Sequence, residues 1–259
     1  MTVAPLDVRL MNATASVLFA LLALLVLGAA GWWALRHPLF SVGGITVEGE
    51  VTHSSALTLR ANVAPKVAGN FFTVRLDAVR EAFEGVPWVR QATVRRQFPN
   101  RLRVALQEHK AVALWGAEQD STLLNGFGEV FEANVGDVEQ EVLPRLSGPA
   151  GESALVLAMY RAVAPLLEPL DLGVSELTLS GRGSWQLTLD NAATVELGRG
   201  GVPEVVARTQ SFVQTLTQVT SQYGRRPEAL VSADLRHVNG YAMRLRGVTT
   251  TGGTEAKKK

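Results

Sequence analysis

Residues 10–35 contain no charged side chain, and Arg9 and Arg36 bound the run. Its middle, residues 17–27, is almost entirely Leu, Val, Ala and Phe. As an α-helix it reaches roughly 39 Å at about 1.5 Å per residue. A bilayer core is about 30 Å thick, so the run can cross one with some tilt. This feature predicts that everything after Arg36 is held at a membrane surface. A cleaved secretory signal is the rival reading, with Gly28-Ala29-Ala30 as its small-residue site. The run is longer than the roughly 7–15 residues of a signal core. The adjacent Trp32 and Trp33 suit the membrane–water interface of an uncleaved anchor.

Charge leaves the direction of crossing open. Arg9 and the N-terminal amine are offset by Asp7, and Arg36 stands on the other side. The positive-inside rule needs a larger bias. The chain has no cysteine, which excludes disulfides, thiolate catalysis and cysteine-based zinc sites. Beyond the span, the composition is that of an ordinary soluble chain. A formal net charge of +1 gives no whole-chain reason to expect nucleic acid.

Residues 40–108 read as strand, helix, helix, strand, strand. Residues 40–47 are rich in β-formers, and Thr52 or Ser54 can cap a helix over 56–63. Gly69-Asn70 breaks that helix. Leu76, Val79, Phe83 and Val86 then recur at helical spacing, and Pro87 stops the second helix. In residues 101–108, Leu102, Val104 and Leu106 alternate with polar neighbours, the period of a half-buried strand. Pro99-Asn100 turns it back on residues 89–98. The expected unit is a three-stranded sheet backed by two helices. Arg95, Arg96, Arg101 and Arg103 cluster around its hairpin. They read either as a docking patch or as the solvated face of a sheet. No aromatic side chain is interleaved as a base-stacking platform.

The remainder predicts a second domain. Residues 111–115 and 122–131 read as strands, the latter folded at Asn125-Gly126-Phe127-Gly128, and residues 143–151 are turn-rich. A helix over 153–164 ends or kinks near Pro165. Residues 175–179, 184–189 and 194–197 form a meander, with Asp190-Asn191 as a hairpin turn. An amphipathic helix runs over 203–222, with Val205, Thr209, Phe212, Leu216 and Val219 as its stripe. Strands over 229–236 and 241–246 follow, joined at Asn239-Gly240.

Few residues suggest chemistry. His37, His53, His109 and His237 are scattered without metal-ligand spacing. Leu197-Gly198-Arg199-Gly200-Gly201 could cradle a phosphate only within a parallel βαβ unit, and its strand reads as part of an antiparallel meander. No hydrolase, kinase or Walker motif is present. The last strand is a better lead. A strand at a sheet edge offers unpaired backbone groups to a partner strand. Arg244 and Arg246 alternatively read as protection of an unused edge.

Phe40-Ser41-Val42, Gly49, Val86-Pro87-Trp88-Val89 and Val94-Arg95-Arg96-Gln97-Phe98-Pro99-Asn100-Arg101-Leu102 resemble a POTRA (polypeptide-transport-associated) domain of the FtsQ/DivIB family of bacterial division proteins. The resemblance continues through residues 143–151, Ser184-Trp185-Gln186-Leu187-Thr188-Leu189, Leu197-Gly198-Arg199-Gly200 and Asp234-Leu235-Arg236, in order, to about Leu245.

It implies an α+β chain: a short cytoplasmic tail (1–9), one transmembrane helix (10–36), a βααββ POTRA domain (38–109) and a larger, mostly antiparallel β domain with flanking helices (110–246). After Leu245 the chain departs from the family, and the tail 247–259, low in apolar residues, reads as disordered. The resemblance implies a non-enzymatic divisome scaffold in the bacterial inner membrane at the septum, with its folded domains periplasmic. It would link early to late division proteins. The implied partners are FtsB and FtsL, with FtsK and the septal wall synthesis proteins FtsW and FtsI as further candidates. Neither cofactor, small-molecule substrate nor nucleic acid is implied. The partner-binding positions carried over are Arg182, Arg236, His237, Asn239, Gly240, Tyr241, Ala242 and Met243. His237 stands where the family often has tyrosine, which weakens an aromatic contact, moves it to Tyr241 or makes it pH-sensitive. Two other readings remain: a POTRA-type periplasmic chaperone or translocation module, and a membrane-anchored periplasmic hydrolase.

Overall fold

A computed structural model of the chain describes residues 6–37, 40–67, 70–117, 122–138, 142–237 and 240–249. Within it, α1 (Leu6–Arg36) is a single helix of 31 residues. Its segment Leu10–Trp33 has a mean hydropathy of 2.4, and none of it is buried against the rest of the protein. A helix apolar all round needs a protein core or lipid around it, and this one is long and apolar enough to cross a membrane. The polar Thr14 satisfies itself, its hydroxyl donating to the Leu10 and Met11 carbonyls at 3.0 Å. The chain divides into two units, 1–108 and 109–259.

The first unit adds β1 (Gly44–Glu50), α2 (Ala56–Val63), α3 (Leu76–Glu84), β2 (Val89–Gln97) and β3 (Arg101–Glu108). The strand order is β1-β3-β2, with β1 parallel and β2 antiparallel to β3. Leu102, Val104 and Leu106 are buried against Val79, Phe83 and Leu59 of the helices, and Arg101, Arg103 and Ala105, which alternate with them, face out. Gly49 has φ +120°, and a Cβ there would run into the Leu106 carbonyl. Only glycine allows that approach.

The start of α2 departs from expectation. Ser55 caps it, its Oγ accepting the Thr58 N–H at 3.1 Å. Thr52 and Ser54 are committed elsewhere. Their backbone N–H groups and that of His53 donate to the Glu108 carboxylate at 2.8–3.0 Å. Burial would raise this carboxyl, but the hydrogen bonds it accepts from residues 52–54 outweigh it and hold it below its ordinary 4.5. His53 closes the site, stacked on Trp88 at 4.0 Å. The last residue of β3 thus fixes the loop that leads into α2.

The second unit holds β4 (Ala111–Trp115), β5 (Thr122–Asn125), β6 (Val130–Glu132), β7 (Arg145–Ser147), α4 (Ser153–Leu167), β8 (Val174–Leu179), β9 (Ser184–Leu189), β10 (Thr194–Arg199), α5 (Val202–Gln222), β11 (Leu230–Asp234) and β12 (Ala242–Leu245). They form one sheet of order β12-β11-β10-β9-β8-β7-β4-β5-β6. Helix α4 packs on β7 and β8, α5 on β10, and the helices on each other. Trp185, Leu187, Val195, Phe212 and Leu216 fill the core between them. Asn125 shapes the β5–β6 turn, accepting the Phe127 and Glu129 N–H groups through one side-chain oxygen.

Three features differ from the sequence reading. The turn-rich stretch contains β7, which pairs in parallel with both β4 and β8. Its single buried side chain, Leu146, is too short a signal for periodicity. Helix α4 passes Pro165 and ends at Leu167, because Leu167 is wholly buried and a proline in the last turn removes only one helix bond. Strand β10 is antiparallel to β9 but parallel to β11, so β10–α5–β11 is a parallel βαβ unit. Asn239, Gly69 and the tails 1–5 and 250–259 lie outside the described residues.

Replacing Glu108 by Gln should lower the first unit's stability by about 1.5–3 kcal/mol, the range for hydrogen bonds to a charged group. The Glu108 pKa falls on folding, so its contribution is complete above pH 4.5 and lost as pH falls through the lower folded value. The gap between wild type and Glu108→Gln should therefore close in acid. Urea unfolding of residues 38–109, followed by Trp88 emission across pH, measures both.

Candidate functional site

The second unit's sheet ends at β12, whose only strand partner among the described residues is β11, through Ser232↔Arg244, Ala233↔Met243 and Asp234↔Ala242. Its other backbone edge faces outward. Alternation splits its side chains: Met243 and Leu245 turn towards α5, while Ala242 and Arg244 are exposed. Tyr241, just before the strand, sets its ring edge-on to Phe212 at 4.9 Å and shares a 2.8 Å hydrogen bond with the Thr215 hydroxyl. Between β12 and α5 lies an open groove of about 480 Å³, lined by Val219, Tyr223, Tyr241, Met243, Leu245 and Val248 among others. An unpaired strand edge beside an apolar groove offers main-chain hydrogen bonds and side-chain pockets together, which is what an added strand requires.

Register gathers most of the expected partner-binding residues at one end of this sheet. Glu196 pairs with Asp234, Arg199 with Ser184, and Ala242 with Asp234. The β8–β9 turn carrying Arg182, the ends of β10 and β11, and the start of β12 therefore lie together. Arg182 stands about three strand spacings from β12, roughly 14 Å. Arg236 grips Asp234 with two bonds, Nε to Oδ1 at 2.9 Å and a terminal nitrogen to Oδ2 at 2.6 Å. Chiefly through that side-chain bond, the Asp234 carboxyl is held down at about 2 and the guanidinium is raised. Arg236 is thus pinned beside its own strand. His237 and Gly240 are exposed.

The arginine patch of the first unit divides in two. Arg96 turns inward and donates to the Phe71 and Val74 carbonyls at 2.8 Å. Arg103 pairs with Glu48 at 3.3 Å. Arg95 and Arg101 remain exposed on the outer sheet face.

The glycine loop sits in the parallel βαβ unit that a phosphate site requires, yet its polar groups are already used. Arg208 donates to the Leu197 and Arg199 carbonyls, and Trp185 to the Gly200 carbonyl. The Gly201 N–H, at the N-terminus of α5, is taken by the Glu204 carboxylate at 2.7 Å. The helix end already carries its own anion. Among the described residues, no group of three His, Cys, Asp or Glu side chains is placed to hold a metal.

Comparison with known proteins agrees with this architecture. A family model described as POTRA domain, FtsQ-type, matches residues 40–109, and one described as cell division protein FtsQ/DivIB, C-terminal, matches residues 113–236. A cell division protein FtsQ of Burkholderia pseudomallei is 42% identical over 255 residues, covering 98% of this chain and 99% of its own. Those of Bordetella pertussis and Thiomonas arsenitoxydans are 39% and 36% identical, each across 98% of this chain and 97% and 93% of their own. The chain belongs to the FtsQ/DivIB family of cell division proteins. The matched C-terminal model stops at Arg236, so the β12 edge lies just beyond it.

Sequence reasoning missed Tyr223, Val219 and Val248 as groove residues. For the first two the signal was present. Phe212, Leu216, Val219 and Tyr223 continue one helical stripe past the buried part of α5. Tyr223 stands exposed at the end of that stripe. Tyr241→Phe, which keeps the ring and loses the Thr215 bond, should cost about 0.5–1.5 kcal/mol. Tyr241→Ala, which also uncovers Phe212, should cost more. Thermal unfolding of residues 40–249 with each variant measures the split.

Proposed function

We propose that this protein is a non-catalytic assembly component of the bacterial divisome, receiving a strand of its partner on the β12 edge. Its partners in this reading are FtsB and FtsL, which the family resemblance implies. The supporting observation is the unpaired β12 edge beside the α5 groove, with Tyr241 and Met243 on the groove wall. A partner chain adding to β12 would continue the sheet and lay alternate side chains into that groove. Arg182, Arg236, His237, Asn239 and Gly240 would border its entry.

The POTRA-type unit would help recruit the protein, with FtsK as the candidate contact. The FtsB–FtsL connection would lead on to FtsW and FtsI, joining early division proteins to septal wall synthesis. The N-terminus would lie in the cytoplasm, and both folded units in the periplasm at the septum of the inner membrane. Tethering suits this work. Partners confined beside one bilayer meet at high effective concentration, so modest interfaces are enough.

Residues 40–249 should retain an FtsB–FtsL pair in a pull-down. Tyr241→Lys, which puts a charge on the groove wall, should weaken retention roughly thirtyfold or more, as expected for an aromatic hot spot. Failure of the wild type to retain the pair sinks the proposal. Topology is tested separately, by a reporter fused after residue 249 that is active only outside the cytoplasm. Activity of a cytoplasm-only reporter at the same point would reverse the orientation.

A further inference from the structure

A second surface, in the first unit, gathers exposed aromatic and cationic side chains at one end of the sheet. Because β1 runs parallel to β3, with Gly44 opposite Arg101, the entry to β1 and the β2–β3 turn share that end. Backbone bonds tie the pieces together. The Gly43 N–H donates to the Asn100 carbonyl at 2.8 Å, and the Phe71 N–H to the Phe40 carbonyl at 2.7 Å. Arg96 holds the 71–74 loop to β2.

This is also the end at which the chain arrives from the membrane helix. The Phe40 N–H bonds the His37 carbonyl at 3.0 Å, one residue past α1. From Trp33 to the end of α1 the helix rises about 4.5 Å. The stretch on to Phe40 adds at most about 14 Å. Covalent reach alone keeps this end of the unit within about 20 Å of the level of the indoles.

Phe98, at the hairpin tip, is 79% exposed, and Phe72 is 44% exposed. Phe72 is held in place edge-on to Phe40 at 5.2 Å and Phe71 at 5.3 Å. Arg95 and Arg101 stand exposed beside the tip. Glu48 is engaged by Arg103 and Asp77 by Arg80, and among the described residues no carboxylate pairs with Arg95 or Arg101. Exposed aromatics flanked by arginines, next to a spanning helix, are the composition of an interfacial anchor.

We propose that the Phe98 tip enters the headgroup layer of the bilayer that α1 crosses, with Arg95 and Arg101 on the phosphates of anionic phospholipid. This second attachment would hold the first unit at a fixed tilt instead of letting it swivel on one strand of chain. It does not depend on what binds β12.

The chain has no cysteine, so one introduced cysteine gives a unique label. The full-length protein carries a nitroxide at Phe98→Cys or, as control, at Gln91→Cys, at the far end of β2. It is placed in nanodiscs of phosphatidylcholine with phosphatidylglycerol, or of phosphatidylcholine alone. Spin-label accessibility to oxygen and to a water-soluble nickel complex is measured. The label at 98 should favour oxygen, and the label at 91 nickel, with the contrast largest in the anionic discs. Arg95→Glu with Arg101→Glu should weaken tip attachment by roughly fivefold per arginine. Should charge reversal unfold the unit by circular dichroism, the Arg95→Gln, Arg101→Gln pair carries the same test. A label at 98 as open to nickel as that at 91 in both discs overturns the proposal. Equal protection without phosphatidylglycerol overturns the role given to the arginines.

Discussion

Among the described residues, none covers the apolar surface of α1. A helix with mean hydropathy 2.4 and no buried part fits a membrane span, and that fit bears on the use of everything attached to it. It removes translational freedom from both folded units, so neither needs a large interface to stay near its partners. It also fixes where the first unit begins. A short connection from α1 brings the chain onto β1 at the end of the sheet where the Phe98 hairpin turns.

Within the second unit the corresponding constraint is the packing of α5. Phe212 and Leu216 are buried under it, and Tyr241 closes the edge of that core by bonding across to Thr215. The stripe then runs on to Val219 and Tyr223, past the point where the sheet can cover it. β12 is only Ala242–Leu245, too short to finish the job. A short edge strand with Arg244 on its exposed face is poorly suited to casual aggregation. The same edge, with an apolar groove behind it, suits a partner that brings its own side chains. Arg244 also lines that groove, so protection of the edge and recognition of a chosen strand are compatible readings of its charge.

Local periodicity made much of this legible. Leu102, Val104 and Leu106 announced β3 and its buried face, and Val205 to Val219 announced α5 and the side it turns to the sheet. Long-range pairing was not legible. Nothing in the sequence says that β10 lies parallel to β11, or that three residues around Leu146 bridge β4 and β8. Side-chain direction was equally hidden. Arg96 and Arg101 look alike in the sequence, but one closes a loop by donating to the carbonyls of Phe71 and Val74, 25 and 22 residues earlier, and the other stands free of that loop. Ser55 and Ser54 are neighbours of equal capping ability. Glu108, more than fifty residues on, decides between them by taking the Ser54 N–H.

That same habit bears on why binding fits this fold better than carboxylate chemistry. A hydrolytic site needs carboxylates whose environments push their proton affinities towards neutrality. Here the best-held carboxylates move the other way. Glu108 accepts three backbone N–H groups and lies below its ordinary value. Asp234 is clamped by Arg236 and lies near 2. Glu204 is spent on the first N–H of α5. Glu108 and Asp234 are stabilised as anions in structural bonds, which makes each a weak base. These acidic groups secure the loop before α2, the first turn of α5 and the end of the strand that pairs with β12.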